Sequence, residues 1–319
     1  MNSKNIKRHL KAKIKDWIES IENEEIRETI EKNVIVTGGA IVSLLTGEVV
    51  NDYDVYFKDY DSCLSIAKYY AGKWNSTQTD KPIVCVIPDT EVDEIERKLD
   101  TDSNLYDLRK GHIEDLKEDT ERDKRISFFI RSVGVTSDDE IDPDTEEAFV
   151  EESTKKKEKG RYRPMFFSSN AISLSDKMQI VVRFYGDIDS IHKNYDFVHC
   201  TCSYDYFKNE LTLPSKALEC IINKELHYIG SKYPLCSIIR TRKFLQRGYH
   251  INAGQYLKMA FQLNELDLHD FDVLRDQLTG VDSSYFERFI GAMEEMKEKN
   301  PDFSPDSEYY FEAINRIFG

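Results

Sequence analysis

The chain has no run approaching the roughly 20 apolar residues that a membrane-spanning helix needs. Residues 1–19 are polar and mixed in charge, without the apolar core of a secretory signal. Both absences predict a soluble, cytoplasmic protein with no membrane partner. Disulfide framework spacing is also missing: the six cysteines are scattered, as expected of a reducing compartment. Cys200 and Cys202 form a close pair beside His199, but no second Cys/His pair is spaced to complete a four-ligand zinc site. General basic charge is lacking too. A net charge of -15 excludes a protein that coats nucleic acid through its whole surface. No internal repeat is present.

Charge is nonetheless unevenly placed. Between Tyr206 and Ala260 there are nine Lys/Arg against three acids, a local balance of +6 in an acidic chain. By contrast, 137–160 is acidic and then basic with few large apolar residues, which predicts a mobile insertion. Length predicts two domains. The expected division is an N-terminal helical segment at 1–32, an α/β head at 33–205 with its insertion near 137–160, and an α-helical neck and C-terminal domain at 206–319.

Apolar residues at helical spacing run from Ile6 to Ile30. A β-branched run at 33–37 then ends in Gly38-Gly39, a short helix is expected at 40–45, and a strand follows through Asp52-Tyr53-Asp54-Val55. Further helix is expected at 62–74, and strands at 82–87, 126–135, 163–168, 178–185 and 194–201. Helices are expected at 215–229, 234–247, 253–263 and 283–299.

The chemistry concentrates where the first of these elements meet. Alternate residues of a strand share a face, so Asp52 and Asp54 point the same way with Cα atoms about 6.6 Å apart. Two facing carboxylates repel unless a cation lies between them. A divalent metal explains the pair, and the Gly38-Gly39 turn just upstream offers backbone N–H groups to phosphates. Asp196, set between Tyr195 and Phe197, is the candidate third carboxylate, because an acid among aromatics calls for a metal or a base beside it.

Gly38-Gly39, a spacer of twelve residues and then Asp52-Tyr53-Asp54-Val55 resemble the signature of the DNA polymerase beta superfamily of nucleotidyltransferases. Within that superfamily, Gly-Gly-Ala followed by an apolar helix is most similar to the class of poly(A) polymerases and bacterial-type CCA-adding enzymes. Downstream, Arg240-Thr241-Arg242-Lys243-Phe244 and Arg247-Gly248-Tyr249 resemble the arginine-rich neck helix of those enzymes. The resemblance implies an α/β nucleotidyltransferase head with a mixed central sheet, followed by an all-α neck and body. It implies transfer of NMP from an NTP to an RNA 3′ end of the tRNA type. Two Mg²⁺ ions, replaceable by Mn²⁺, would be held by Asp52, Asp54 and Asp196, with the triphosphate on Gly38 and Gly39. Arg240, Lys243 and Arg247, at i, i+3 and i+7, would bind phosphates.

The likeness stops short of base selection. Where the CCA-adding neck carries an acid pair and an arginine, this chain reads Lys232-Tyr233-Pro234-Leu235-Cys236, and Asn194-Tyr195-Asp196-Phe197 lacks the arginines of the matching element. Two alternatives therefore stand beside the RNA acceptor: a protein or small-molecule acceptor, and a catalytically silent fold that binds RNA or a partner.

Overall fold

The computed structural model describes residues 2–77, 84–88, 126–130, 161–167, 171–278, 296, 299–300 and 307–318. The chain divides into two compact units, one formed by 1–138, 155–192 and 200–214, the other by 139–154, 193–199 and 215–319. No helix among the described residues is long and apolar enough to cross a membrane.

The first unit opens with α1 (Ser3–Glu19) and α2 (Glu24–Asn33). Its sequence pattern reads as a single helical stretch. Ser20 ends α1, and the Asn23 side chain caps α2 by accepting from the Ile26 N–H, because short polar side chains compete for the backbone there. Ile6, Leu10, Ile14, Trp17 and Ile18 bury one stripe of α1.

Next come β1 (Val34–Thr37), α3 (Gly39–Thr46), β2 (Tyr53–Phe57) and α4 (Tyr60–Thr77). β3 (Val84–Pro88) and β4 (Ile126–Ile130) form a separate antiparallel pair. The main sheet is completed by β5 (Pro164–Phe167), β6 (Ala171–Leu174), β7 (Met178–Tyr185), β8 (Ser203–Asp205) and β9 (Glu210–Thr212), in the order β5-β6-β7-β2-β1-β8-β9. It is mixed, since β2 and β7 run parallel and its other neighbours antiparallel. A short helix, α5 (Ile188–His192), follows β7.

The expected strand at 194–201 does not form. Phe197 makes a single bridge to Tyr228, and Val198–Cys200 is one 3-10 turn. In place of a sheet ladder, its backbone is satisfied by Val198 N–H donating to the His227 carbonyl and Ile229 N–H donating to that of Asp196. The second unit holds this segment with α6 (Ser215–Asn223), α7 (Pro234–Gln246), α8 (Ala253–Leu263), α9 (Phe271–Leu278) and α10 (Ser307–Phe318). α6 stops short of the expected 229 because Lys224 takes a left-handed conformation (φ 52°), and Glu225 N–H turns back to the Cys220 carbonyl. Phe197, Leu226, Tyr228, Tyr249 and Met259 form this unit's core, with Ile238 and Phe244 packed against it. The expected insertion at 137–160 lies outside the described residues, as does the helix at 283–299 apart from Met296 and Lys299.

The first unit's core buries a polar contact between α1 and α4. Trp17 Nε1–H donates to the Tyr70 hydroxyl at 2.8 Å, and both side chains are fully buried. Tyr70→Phe strands that N–H away from water and is expected to cost about 1–3 kcal/mol, read as a lower urea midpoint at unchanged m-value.

Candidate functional site

β1 delivers the chain to Gly38, whose φ of 91° and ψ of -148° fall where side chains clash and glycine does not. α3 starts at the next residue without a side-chain cap. Its first N–H groups thus form the positive end of a helix, suited to an anion. Gly39 differs from Gly38, because a Cβ built there meets nothing within 4 Å and its φ is not positive. Neither packing nor backbone conformation demands glycine at 39, while a ligand approaching the backbone would.

The antiparallel register pairs Ile35 with Tyr56 and Val36 with Val55. Carried one residue on, it sets Thr37 against Asp54, so the glycine turn stands at the N-terminal end of β2, which Asp52 immediately precedes. Tyr53, Val55 and Phe57 are buried, whereas Asp52 and Asp54 are half-buried. Behind them, Tyr53 is fixed to α1 by a 2.6 Å hydrogen bond between its hydroxyl and His9 Nε2. Burial and the neighbouring Lys13 hold the His9 pKa down.

Two residues beside Asp54 carried no sequence signal. Thr37 is fully buried, and its hydroxyl donates to the Cys202 carbonyl at 2.8 Å while lying 2.8 Å from His192 Nε2. With the hydroxyl proton so used, His192 serves as the donor to Thr37. Burial lowers the His192 pKa against the opposing pull of Asp189. On the other side, parallel register pairs Asp54 with Gln179, itself opposite Ser173. Thr37, Asp54, Gln179 and Ser173 therefore share a polar row across four strands.

Among the described residues, no group of three or more His, Cys, Asp and Glu is placed to hold a metal ion. Asp52 and Asp54 still suit Mg²⁺, a hard cation that takes one or two carboxylates and completes its octahedron with waters and substrate phosphates.

Asp196, Arg240, Lys243 and Arg247 belong to the second unit. Asp196 is buried, and its Oδ2 accepts from Arg240 Nη1 at 2.6 Å. Its other oxygen, Oδ1, is buried with no hydrogen-bond donor among the described residues. Thus two residues assigned separate tasks by sequence form one ion pair. Lys243 is exposed, and Arg247 is the C-cap of α7, its carbonyl accepting from Lys224 Nζ at 3.3 Å. Ile238 and Phe244 pack against this unit's core while Leu245 is exposed, and α7 buries Cys236, Ser237 and Thr241.

Residues 8–224 match the sequence model of the Gabija anti-defense 2 protein family. The chain belongs to this family. The matched span includes Gly38, Gly39, Asp52, Asp54 and Asp196 and excludes Arg240, Lys243 and Arg247. The chain is 20% identical, over 306 residues, to "Gabija anti-defense 2" of Bacillus phage SPbetaL7, an alignment covering 92% of this chain and 55% of that protein. It therefore spans about half the length of this family relative. Among solved structures, the Thermotoga maritima CCA-adding enzyme complexed with tRNA is similar at a TM-score of 0.37 and 12% identity, over 95% of this chain and 68% of the other. A likeness that weak carries no argument.

Within the span matched by the Gabija anti-defense 2 family, His199 lies in an aromatic cage, its ring centroid 4.6 Å from Phe244 and 4.8 Å from Tyr249. Burial, reinforced by the Arg247 and Lys224 cations, lowers its pKa from an ordinary 6.5 to about 4. Between these values the unfolded chain binds the proton and the folded one does not, so stability falls as pH drops through this window. Urea titrations of wild type and His199→Gln are expected to show wild type losing roughly 3 kcal/mol relative to the variant as pH goes from above 6.5 to 4.

Proposed function

We propose that this chain counters Gabija defence as a metal-dependent nucleotidyltransferase, its first unit being a nucleotidyltransferase head. It moves NMP from an NTP to an acceptor, an RNA 3′ end of the tRNA type. The observation that carries the reading is the β1–β2 register, which closes a glycine turn against a carboxylate pair.

The uncapped start of α3 binds the triphosphate through backbone N–H groups, with Gly39 leaving room for the phosphate oxygens. Asp52 and Asp54 are the residues that would hold Mg²⁺, or Mn²⁺ in its place. When bound, the ion supplies charge neutralisation at the α-phosphate. Thr37, locked between His192 and the Cys202 carbonyl, fixes the end of β1 and hence the turn. The His9 contact to Tyr53 holds the strand between the two aspartates from behind.

The second unit supports a second reading of the acceptor. Arg240 is neutralised by Asp196, which leaves Lys243 and Arg247 as the remaining cations of the proposed phosphate row. A protein or small-molecule acceptor fits that loss better than RNA does, and a silent fold remains the outcome if no acceptor is labelled.

The test supplies each α-labelled NTP in turn with Mg²⁺ and either total RNA or total protein from a host carrying Gabija. Label is expected in RNA, and Asp52→Asn or Asp54→Asn should each lower its entry by on the order of 100-fold or more. Gly39→Ala should keep the thermal midpoint and raise the KM for NTP. Label in protein instead would select the second acceptor. Equal behaviour of wild type and both Asn variants with every acceptor would remove the enzymatic reading.

A further inference from the structure

The first helix runs against the electrostatics that stabilise helices. α1 carries six bases, Lys4, Lys7, Arg8, Lys11, Lys13 and Lys15, before its first acid, Asp16. Its first turn contains no acid, so cations occupy the positive end of the helix dipole. Lys4 with Arg8, Lys7 with Lys11, and Lys11 with Lys15 are like-charged pairs at i, i+4, which repel. Against them stands the Lys15–Glu19 ion pair at 3.5 Å. α2, with Glu24 and Glu25 in its first turn and Lys32 in its last, has the favourable order. A merely solvated face would be expected to resemble α2.

The unfavourable charges are also gathered. Lys4, Arg8, Lys11 and Lys15 lie at i, i+4, i+7 and i+11, a single exposed stripe about 16 Å long. Lys13 is set apart from them, inward of the stripe, donating to the Asp176 carbonyl and lying over the rings of Tyr53 and Tyr162. At the start of the stripe, Lys4 and Lys7 face Lys208 and Asn209 of the β8–β9 turn and Glu210 at the start of β9 across an open cleft of about 600 Å³. The residue before Lys208 is Phe207, 61% exposed.

We propose that this surface, α1 together with the β8–β9 turn, binds a single-stranded polynucleotide. The basic stripe follows the phosphates, and Phe207 provides a face on which a base stacks. An exposed ring next to a lysine suits a single strand, where a base stacks on the ring while the ammonium meets the adjoining phosphate. In a chain of net charge -15, such a local surface selects its polyanion and the rest repels it. The surface goes beyond the proposed transfer chemistry and does not depend on it.

Fluorescence anisotropy with labelled single strands of roughly 16 nucleotides, RNA and DNA in separate arms, in EDTA and without NTP, tests this apart from any transfer reaction. Wild type is expected to bind with a steep salt dependence. Lys4→Gln/Arg8→Gln/Lys11→Gln/Lys208→Gln should weaken binding about tenfold or more and flatten the log–log salt slope by about 3. It should also melt no lower than wild type, because the repulsion relieved along α1 offsets loss of the 3.8 Å pair that the exposed Lys208 makes with Asp205. Phe207→Ala, an exposed change that leaves the charge intact, should weaken binding about fivefold or more. Unchanged affinity in either variant overturns the proposal. So does equal affinity for polyglutamate with indifference to Phe207→Ala, which would identify an acidic protein as the partner.

Discussion

Antiparallel pairing of β1 with β2 is the constraint from which the first unit's candidate chemistry follows. It brings the residue after β1, a glycine that only glycine satisfies, against the end of β2 that carries two half-buried acids. The pairing is held from both sides of the sheet. β8 flanks β1, with the Thr37 hydroxyl bonded to the Cys202 carbonyl, and β7 flanks β2 in parallel, with Gln179 beside Asp54. The paired strands are buried on both faces, Val34 and Val36 with Phe57 and Val55 on one and Ile35 with Tyr56 on the other, so Asp54 is the half-buried position within β2. Placement of the acids is thus enforced by burial of their neighbours.

Charge is handled differently in the two units. In the second, the buried Asp196 carboxylate is matched by Arg240, and the cations near His199 help keep that imidazole neutral. Removing water from a carboxylate is costly unless a partner replaces it, so a pair of this kind specifies how its two segments meet more than it adds stability. In the first unit, the basic stripe of α1 is exposed and the acids at 52 and 54 are half-buried. Groups left in that state retain the capacity to bind ions of the opposite sign.

The elements most legible in the sequence were those with a strong period or a strong interruption. α1 and α4 follow from apolar spacing, β7 from its β-branched run, and the β1-turn-α3-β2 order from Gly38-Gly39 between apolar stretches. β6, β8 and β9 were missed because strands of three or four residues are too short to show alternation, and their pairing partners supply what their own residues do not. The segment around Asp196 misled for the opposite reason. Its aromatic residues have high strand propensity, yet they serve an aromatic core reached through single bridges.

What the sequence by itself determined is local: the helices with strong apolar spacing, α1, α4, α7 and α8, a glycine turn after the first strand, and Asp52 and Asp54 one residue apart on an extended segment, whereas α5, α9 and α10 were not anticipated. Propensity, backbone sterics and period are properties of short stretches and survive without context. Only the tertiary structure decided that Gln179 and Thr37 flank Asp54, that Asp196 and Arg240 neutralise each other, and that Lys208 faces α1 across a cleft. Each of these juxtaposes residues at least 17 positions apart, as the interval from Thr37 to Asp54 shows, and several are separated by far more. Such contacts depend on sheet register and on the cost of burying an unmatched charge, and neither can be read from one segment alone.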